Sequence, residues 1–300
     1  MRIRVIINPA AGVAEPILSV LNDVFGSAEI DWDVAITHDA GDGEAEARKA
    51  ADKGFDLIGV YGGDGTVAEV ASALAEGGPP MLLLPGGTGN ALAEDLGVPP
   101  LLADAAALAV GGAGEIKRVD LGRAGDRRFV LRLTMGFEAE MVSAATREMK
   151  DRYGWLAYAL TGLQTLAAPP MAAYSMTVDG EAIECEGLAA VIANSASSGL
   201  PGVRLAEDVD VADGLLDLIV VQNPDFLGWL GNAADVASGQ QPRMLNRWRG
   251  TEIHVDAHPA QSVLSDGEDA GLTPVDVTVE PGVIGVLVPK PLGDSKEPAV

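Results

Sequence analysis

The segment Gly62-Gly63-Asp64-Gly65-Thr66 constrains the fold of this chain more than any other. It follows the apolar run at residues 57–61 and precedes a helical pattern that begins near Val67, so it marks a junction between a strand and a helix. Its three glycines allow a tight turn, and the N-terminus of the following helix presents amide groups and the positive end of its dipole. The segment therefore predicts an anion site, the alternative being a glycine-rich turn in which Asp64 caps the helix.

Asp64 brings a negative charge into this predicted anion site. A carboxylate and a phosphate repel each other unless a divalent cation, bound directly or through water, lies between them. The sequence therefore predicts magnesium together with a phosphate-bearing ligand at this junction.

Two further loops share the same design. Residues 82–84 form a buried strand pattern that ends at Pro85-Gly86-Gly87-Thr88-Gly89-Asn90, and residues 3–7 form another that ends at Asn8-Pro9-Ala10-Ala11-Gly12. Thr88 and Asn90 would supply side-chain hydrogen bonds to a ligand. One glycine loop alone is weak support, but three loops at the carboxyl ends of neighbouring strands predict one triphosphate pocket.

The order of strand and helix patterns predicts two domains. Over residues 1–124 apolar runs alternate with helical patterns, which predicts an α/β domain with a doubly wound, mostly parallel sheet. Residues 125–290 carry short alternating patterns and turn residues, which predict an all-β sandwich, and a polar tail at 291–300 could pack back on the first domain. The strands predicted in the second domain cover residues 129–134, 175–178, 188–193, 215–221, 251–255 and 275–279.

Two apolar segments of helical spacing stand out within the second half. Residues 153–166 repeat aromatic and leucine side chains at nearly helical intervals, and residues 225–237 carry a large apolar face. Each segment is either a helix packed in the core or part of a lipid-facing wall.

Acidic residues outnumber basic ones throughout the chain. There are 44 Asp and Glu against 20 Lys and Arg, which gives a formal net charge of -24. Such a surface excludes sequence-independent binding of nucleic acid, which needs a basic surface. It also repels nucleotides, so a phosphate site must supply its own amide donors and a cation.

The cysteine content and the N-terminus bear on location. Cys185 is the single cysteine, which excludes an internal disulfide and fits a reducing cytoplasm. The chain enters a strand pattern at once with no apolar leader, and no stretch reaches the roughly 18 apolar residues of a spanning helix. We therefore expect a cytoplasmic protein that is soluble or peripheral at the inner face of the membrane.

Seven motifs, taken together, point to one family. In chain order they are Asn8-Pro9-Ala10-Ala11-Gly12, Gly62 to Thr66 with Glu69, Gly87-Thr88-Gly89-Asn90, Val119-Asp120-Leu121-Gly122, Met135-Gly136-Phe137, Asp213-Gly214-Leu215-Leu216-Asp217 and Ser265-Asp266-Gly267-Glu268. With these motifs the chain resembles the diacylglycerol kinase catalytic-domain family of lipid kinases, which includes bacterial diacylglycerol kinases, sphingosine kinases and ceramide kinases. The resemblance implies that ATP and Mg²⁺ are used to phosphorylate a lipid alcohol in a cleft between the two domains.

The nucleotide-binding residues follow from the resemblance together with the glycine loops. The family pattern places ATP on the first-strand loop, on Thr37, on the glycine junction through Glu69, and on Thr88. The full predicted set is Asn8, Pro9, Ala10, Ala11, Gly12, Thr37, Gly62, Gly63, Asp64, Gly65, Thr66, Glu69, Gly87, Thr88 and Asn90.

The resemblance also assigns the remaining chemistry. From the motif Asp266-Gly267-Glu268, Glu268 or else Asp266 is expected to act as general base on the acceptor hydroxyl. Asp64 and Asp120 would organise the catalytic magnesium through its waters. A second, structural magnesium loop matches Asp210, Asp213 and the carbonyl of Leu215. As patterns alone, Asp213-Gly214 is also an ordinary turn and Asp266-Gly267 an ordinary hairpin.

One departure from the family pattern leaves alternatives open. Many members carry Asp after the Asn of the second glycine loop, whereas Ala91 follows Asn90 here. This motivates a catalytically silent, nucleotide-binding regulatory protein as one alternative. NAD kinase, which shares the Gly-Gly-Asp-Gly-Thr loop, is another, although it predicts no counterpart of the loop at residues 8–12. The sequence does not name the acceptor, and a sheet edge in the second domain could pair two chains into a homodimer.

Overall fold

The computed structural model describes residues 1–12, 15–75, 77–136, 171–197, 204, 206, 208–222 and 245–290. These residues divide into two compact units. The first contains Met1–Gly87, Leu96–Arg118 and the residues from Ile284 to Lys290, and the second contains Thr88–Asp95 and the described part of Val119–Val283. The helical segments predicted at residues 153–166 and 225–237 and the polar tail lie outside the described residues.

Helices and strands alternate in the first part of the chain. In order they are β1 Arg2–Ile7, α1 Ile17–Ser27, β2 Asp31–Ile36, α2 Asp42–Asp52, β3 Leu57–Gly62, α3 Asp64–Leu74, β4 Met81–Pro85, α4 Ala91–Asp95, α5 Leu102–Ala107 and β5 Gly114–Ala124. Of these, α4 belongs to the second unit and β5 contributes residues to both.

The first unit is built on a parallel sheet in the order β2-β1-β3-β4. The far end of the last strand, β16 (Val275–Pro289), continues it, since Val286 pairs in parallel with Met81 of β4. β3 is buried along its whole length, as expected for a strand that helices cover on both faces. The predicted parallel α/β sheet is confirmed.

The helices of this unit lie on both faces of the sheet. From β1 the chain moves through α1 to β2 in one direction, and then through α2 and α3 to β3 and β4 in the other. Because such crossovers are right-handed, α1 lies on one face and α2 and α3 on the opposite face. In agreement, α2 packs against α3 while α1 packs against α5. The doubly wound arrangement is thus also confirmed.

The second unit consists mainly of antiparallel strands. They are β6 Arg127–Phe129, β7 Arg132–Gly136, β8 Ala172–Val178, β9 Glu181–Gly187, β10 Ala189–Ala193, β11 Leu216–Val221, β12 Leu245–Gly250, β13 Glu252–His258, β14 Ser262–Ser265, β15 Glu268–Leu272 and the first part of β16. One sheet has the order β12-β11-β10-β7-β14-β15, and in the other β16, β13, β8 and β9 are neighbours.

Alternating side chains from the two antiparallel sheets share one apolar core. On β8, Tyr174 and Met176 point into it, and on β13, Ile253 and Val255 do so from the same sheet. The opposite sheet contributes alternate residues of β7, β10 and β11 to the same cluster. This face-to-face packing confirms the predicted β-sandwich.

Two predicted boundaries are wrong. α3 begins at Asp64 rather than near Val67, so part of the predicted loop is the first helical turn. The single strand predicted over residues 129–134 is two strands, β6 and β7, separated by Val130 and Leu131. Across the described parts of the chain, no helix is both long and apolar enough to cross a membrane.

Candidate functional site

The loop after β1 is tied to the start of α3 by Asn8. The Asn8 side chain donates from Nδ2 to Thr66 Oγ1 at 3.0 Å and accepts the Ala10 amide on Oδ1 at 3.0 Å. Its own amide donates to the carbonyl of Tyr61 on β3 at 2.9 Å. Asn8 therefore fixes two of the predicted nucleotide loops relative to each other.

Backbone packing brings the second glycine loop against the other two. A Cβ on Gly12 would lie 1.8 Å from the Gly86 carbonyl oxygen, and Gly12 also has a φ of +77°. A Cβ on Gly63 would lie 3.7 Å from the Gly87 Cα, so these two loops are neighbours as well. The first-strand loop, the β3–α3 junction and the start of the β4–α4 loop thus meet at the carboxyl ends of β1, β3 and β4.

Tyr61 forms the floor beneath the second glycine loop. It is buried at the end of β3, and a Cβ on Gly86 would lie 2.8 Å from its ring. Its hydroxyl donates to Glu15 Oε1 at 2.7 Å. Burial, together with the neighbouring Glu15 carboxylate, raises the pKa of Tyr61 to about 12.

The predicted anion site falls on the first turn of α3. Gly63 is the N-cap, and Asp64, Gly65 and Thr66 are the first helical residues. The amides of a first turn lack carbonyl partners four residues earlier and lie at the positive end of the dipole. The alternative in which Asp64 is the capping residue of this helix is wrong, because the N-cap is Gly63 and Asp64 lies one position inside the helix.

Thr37 and Glu69 occupy structural positions beside these loops. Thr37 follows β2 and is buried, and its amide donates to the carbonyl of Ile7 at 2.9 Å. Both carboxylate oxygens of Glu69 accept main-chain amides where the β2–α2 loop enters α2, Oε1 from the N-cap Gly41 and Oε2 from Gly43, each at 2.9 Å. Glu69 therefore binds the backbone of a neighbouring loop.

The remainder of the second glycine loop leads into α4. Thr88 is exposed, and Asn90 adopts a φ of +52° immediately before the helix. Ala91, at the position where the family pattern has Asp, is 1% exposed. A carboxylate at this position would be buried with the helix.

Asp95, at the end of α4, is a site residue that the sequence reasoning missed. Its Oδ2 accepts the Ser195 hydroxyl at 2.5 Å and the Ala196 amide at 3.1 Å, and its Oδ1 lies 3.2 Å from Arg204 Nη1. These bonds fix α4, and with it the end of the second glycine loop, within the second unit, against the segment that follows β10. Asp95 and Ser195 are 100 positions apart, so no local pattern signals the contact.

Asp120 joins two loops of the second unit. Its Oδ1 accepts the Gly282 amide at 2.6 Å and its Oδ2 accepts the Gly214 amide at 2.7 Å. Burial raises the pKa of Asp120, and the nearby Asp213 and Asp210 carboxylates add to this, whereas the two amides act in the opposite direction. The predicted metal residues Asp120, Asp210 and Asp213 are thus close enough to interact electrostatically.

The loop at residues 210–215 is held by its own side chains and by β12. Asp210 Oδ1 accepts the Ala212 amide at 3.1 Å, and Asp213 Oδ1 accepts the Leu215 amide at 3.0 Å. Asp213 Oδ2 pairs with Arg249 on β12. Within the described ranges, no three His, Cys, Asp or Glu side chains form a metal-binding group by themselves. A cation here would therefore need carbonyl oxygens and water among its ligands, which suits a hard cation such as magnesium.

The predicted base motif is a two-residue hairpin turn between β14 and β15. Asp266 and Gly267 have φ values of +47° and +87°, as a type I′ turn requires. The Asp266 carboxylate accepts three successive amides across the break between β6 and β7, from Val130 at 2.7 Å, Leu131 at 3.0 Å and Arg132 at 2.9 Å. Burial raises the pKa of Asp266 although these three amides oppose the shift.

Glu268 differs from Asp266 in its exposure and in its hydrogen bonding. It is the first residue of β15, its side chain is exposed, and no residue in the described part of the chain bonds to its carboxylate. Of the two predicted candidates, only Glu268 keeps its carboxylate available for a ligand, because the three amides hold Asp266.

The chain matches two family models and several known proteins. The model for the diacylglycerol kinase catalytic domain matches residues 2–124, and that for the YegS C-terminal NAD kinase beta sandwich-like domain matches residues 132–288. An uncharacterized protein of Synechocystis is 34% identical over 79% of this chain, which spans 56% of that longer protein. A "Probable lipid kinase YegS-like" protein of Pseudomonas aeruginosa is 32% identical over 85% of this chain and 84% of its own length.

A solved structure agrees with these matches. The crystal structure of a diacylglycerol kinase from Bacillus anthracis has a TM-score of 0.81 and 27% identity, and the alignment covers 97% of each chain. Both family models point to the same family as the glycine loops and the hairpin described above. The identity to the Pseudomonas protein and this fold match do so as well. The chain therefore belongs to the diacylglycerol kinase family, whose members are phosphotransferases that act on an alcohol group.

Proposed function

We propose that this protein is an ATP- and magnesium-dependent lipid kinase that transfers the γ-phosphoryl group to the hydroxyl of a lipid alcohol, with diacylglycerol-like or sphingoid-like acceptors. The observation that carries the proposal is the convergence of three loops at the carboxyl ends of β1, β3 and β4, where Gly12 and Gly86 leave no room for a side chain. Such close backbone approach, next to the N-terminus of α3, suits a triphosphate.

The first unit supplies the nucleotide-binding groups. The first-turn amides of α3 would donate to phosphate oxygens, and the Asn8–Thr66 hydrogen bond holds the opposing loop at a fixed distance from them. Thr88 is exposed on the second loop and would add a side-chain donor. Because these groups are fixed by the fold, the nucleotide would be bound with little loss of loop entropy.

In the second unit Glu268 would remove the proton of the acceptor hydroxyl. A general base must have a carboxylate within hydrogen-bond reach of that proton and free of other partners. Among the described residues the carboxylate of Glu268 has no bonding partner and so meets the second condition there, whereas Asp266 positions the hairpin that presents it. The lipid nature of the acceptor also predicts contact with a membrane surface.

The carboxylates present fit a magnesium requirement. Asp64 at the start of α3 would face the phosphates, and Asp120, Asp210 and Asp213 concentrate negative charge in the second unit. Magnesium, when bound, neutralises charge on the transferring phosphoryl group. Magnesium prefers oxygen ligands, whereas softer metals prefer nitrogen or sulfur ligands.

The test is incubation of the purified protein with γ-labelled ATP and magnesium, in parallel with a total lipid extract and with NAD. Label in an organic-soluble product is the expected result, and its loss on chelation would support the metal requirement. Label in NADP instead would establish the NAD kinase alternative, and ATP binding without any transfer would establish the regulatory one. Identifying the labelled lipid names the acceptor.

Two variants test the residue assignments in the same assay. Asp64→Asn should reduce labelling by at least about 100-fold, because the magnesium would lose a carboxylate that holds it beside the transferring phosphoryl group. Unchanged labelling would show that the metal assignment of Asp64 is wrong. Asp104→Asn, in the first turn of α5, is the matched control and should leave labelling unchanged.

A further inference from the structure

The N-terminus of α2 has no capping side chain of its own. Its N-cap is Gly41 with a φ of +88°, and no side chain of the helix caps it. Glu69 of α3 fills that role from outside by accepting the amides of Gly41 and Gly43, each at 2.9 Å. A carboxylate at the N-terminus of a helix is stabilised by the first-turn amides, which have no partners within the helix, and by the positive end of the helix dipole.

The fit between Glu69 and α2 depends on a glycine. A Cβ on Gly43 would lie 2.6 Å from Glu69 Oε2 and 3.2 Å from Glu69 Cβ. A side chain at position 43 and the carboxylate of Glu69 therefore cannot both keep their positions. Both the steric fit and the hydrogen bonding therefore depend on glycine at position 43 and glutamate at position 69.

The loop that Glu69 holds, residues 37–43, lies beside the candidate nucleotide loops. Its first residue, Thr37, donates its amide to Ile7 immediately before Asn8. Its last part is bound to Glu69, which stands one helical turn beyond Thr66 on α3. Glu69 consequently connects the β2–α2 loop to the helix whose first turn is the proposed phosphate site.

We propose that Glu69 is a positioning residue for ATP: it holds the loop at residues 37–43 against the phosphate-binding helix and does not itself contact the nucleotide. The inference rests on the proposed ATP-dependent function. With both oxygens bound to amides, the carboxylate has a role in the free protein, and its negative charge is directed at the N-terminus of α2. This revises the expectation that Glu69 is a nucleotide contact.

The experiment perturbs the contact from each side. Glu69→Gln replaces one acceptor oxygen with a donor, and Gly43→Ala displaces the carboxylate by a methyl group. Gly26→Ala is the matched control, because Gly26 lies in α1 and has open space around its Cβ position. For each variant, the Kd and KM for ATP, the kcat and the free energy of unfolding in urea are measured.

Both contact variants should raise the Kd and KM for ATP about tenfold, the factor that corresponds to one hydrogen bond of a charged group. The kcat at saturating ATP and the KM for the acceptor should stay within about twofold of the wild type, because the loop acts on binding of the nucleotide. In a Glu69→Ala background, Gly43→Ala should have little further effect on ATP binding, since the 2.6 Å contact with the carboxylate is gone and only the 3.2 Å contact with Cβ remains.

The outcomes separate this inference from the proposed function. If the wild type binds ATP and both contact variants bind it equally well, Glu69 has no positioning role. A fall in kcat or in stability with an unchanged KM for ATP would show a merely structural role and also overturn the inference. If the wild type binds no ATP, the proposed function fails and the inference fails with it.

Discussion

Asp266 and Glu268, two residues apart, should respond to substitution in opposite ways. Asp266 accepts the amides of Val130, Leu131 and Arg132, while Glu268 is exposed with no partner among the described residues. Asp266→Asn is therefore expected to destabilise the fold, and Glu268→Gln to abolish activity in a fully folded protein.

The magnitude for Asp266 follows from its three hydrogen bonds. The carboxamide of Asn can still accept from Leu131 and Arg132 but turns a donor toward the Val130 amide, and the negative charge is lost. The loss of one charged hydrogen bond, which leaves the Val130 amide unsatisfied, should lower the free energy of unfolding by about 2 to 3 kcal/mol. Asn tolerates the positive φ of +47°, so backbone strain adds little. Asp266→Ala, which lacks that tolerance and every acceptor, should cost about 1 kcal/mol more.

Two measurements on the same preparations check this prediction. Urea unfolding followed by circular dichroism gives the free energy of unfolding, and transfer of label from ATP to lipid gives the rate. Glu268→Gln should leave the free energy of unfolding within about 0.5 kcal/mol of the wild type, as for other exposed positions. Its rate should fall by at least about 100-fold, the usual contribution of a general base.

The reasoning would be refuted by either of two results. If Asp266→Asn unfolds at the same urea concentration as the wild type, the three amides do not depend on the carboxylate. If Glu268→Gln keeps its activity while Asp266→Asn loses activity without losing stability, the base is Asp266 and the assignment is reversed.

Two further predictions concern the first unit. Gly12→Ala should destabilise the protein by at least about 2 kcal/mol more than Gly54→Ala, and it should abolish ATP binding. Both glycines have positive φ, but only at Gly12 would the added methyl group meet a carbonyl, that of Gly86. Equal urea midpoints for the two variants would contradict this prediction. Tyr61→Phe should remove part of the decrease in the free energy of unfolding at alkaline pH. The reason is that Tyr61 keeps its proton up to about pH 12 in the folded protein but loses it near pH 10 in the unfolded chain. Stability of the wild type should therefore fall as pH rises through that window by up to about 1.4 kcal/mol per pH unit, and unfolding at several pH values checks whether the variant lacks this fall.

Local patterns in the sequence were sufficient to predict the architecture. The alternation of apolar runs and helical patterns identified the strands of the parallel sheet, and the glycine segment after β3 identified the strand-to-helix junction. The hairpin reading of Asp266-Gly267 also proved right, because a two-residue turn with positive φ at both positions has a strong local signature. Each of these features depends on residues within one turn or one strand of each other.

Contacts between distant segments could not be predicted. Glu69 meets Gly41 across 28 positions, Asp95 meets Ala196 across 101, and Asp266 meets Val130 across 136. In each case an Asp or Glu serves backbone amides, and nothing in the neighbouring residues distinguishes such an acid from one that binds a ligand. The sequence therefore could not show which amides Glu69 and Asp266 bind, and it gave no sign of the contacts of Asp95.

The participation of β16 in the first unit has a consequence for how this protein can form during synthesis. Ile284, Val286 and Val288 are buried, and Val286 completes the edge of the sheet beside Met81. A ribosome must therefore translate the chain beyond Val286 before the first unit can finish its sheet. A fragment that stops at residue 124 would expose the flank of β4, so a separately expressed first unit should carry the 284–290 segment, fused or supplied in trans.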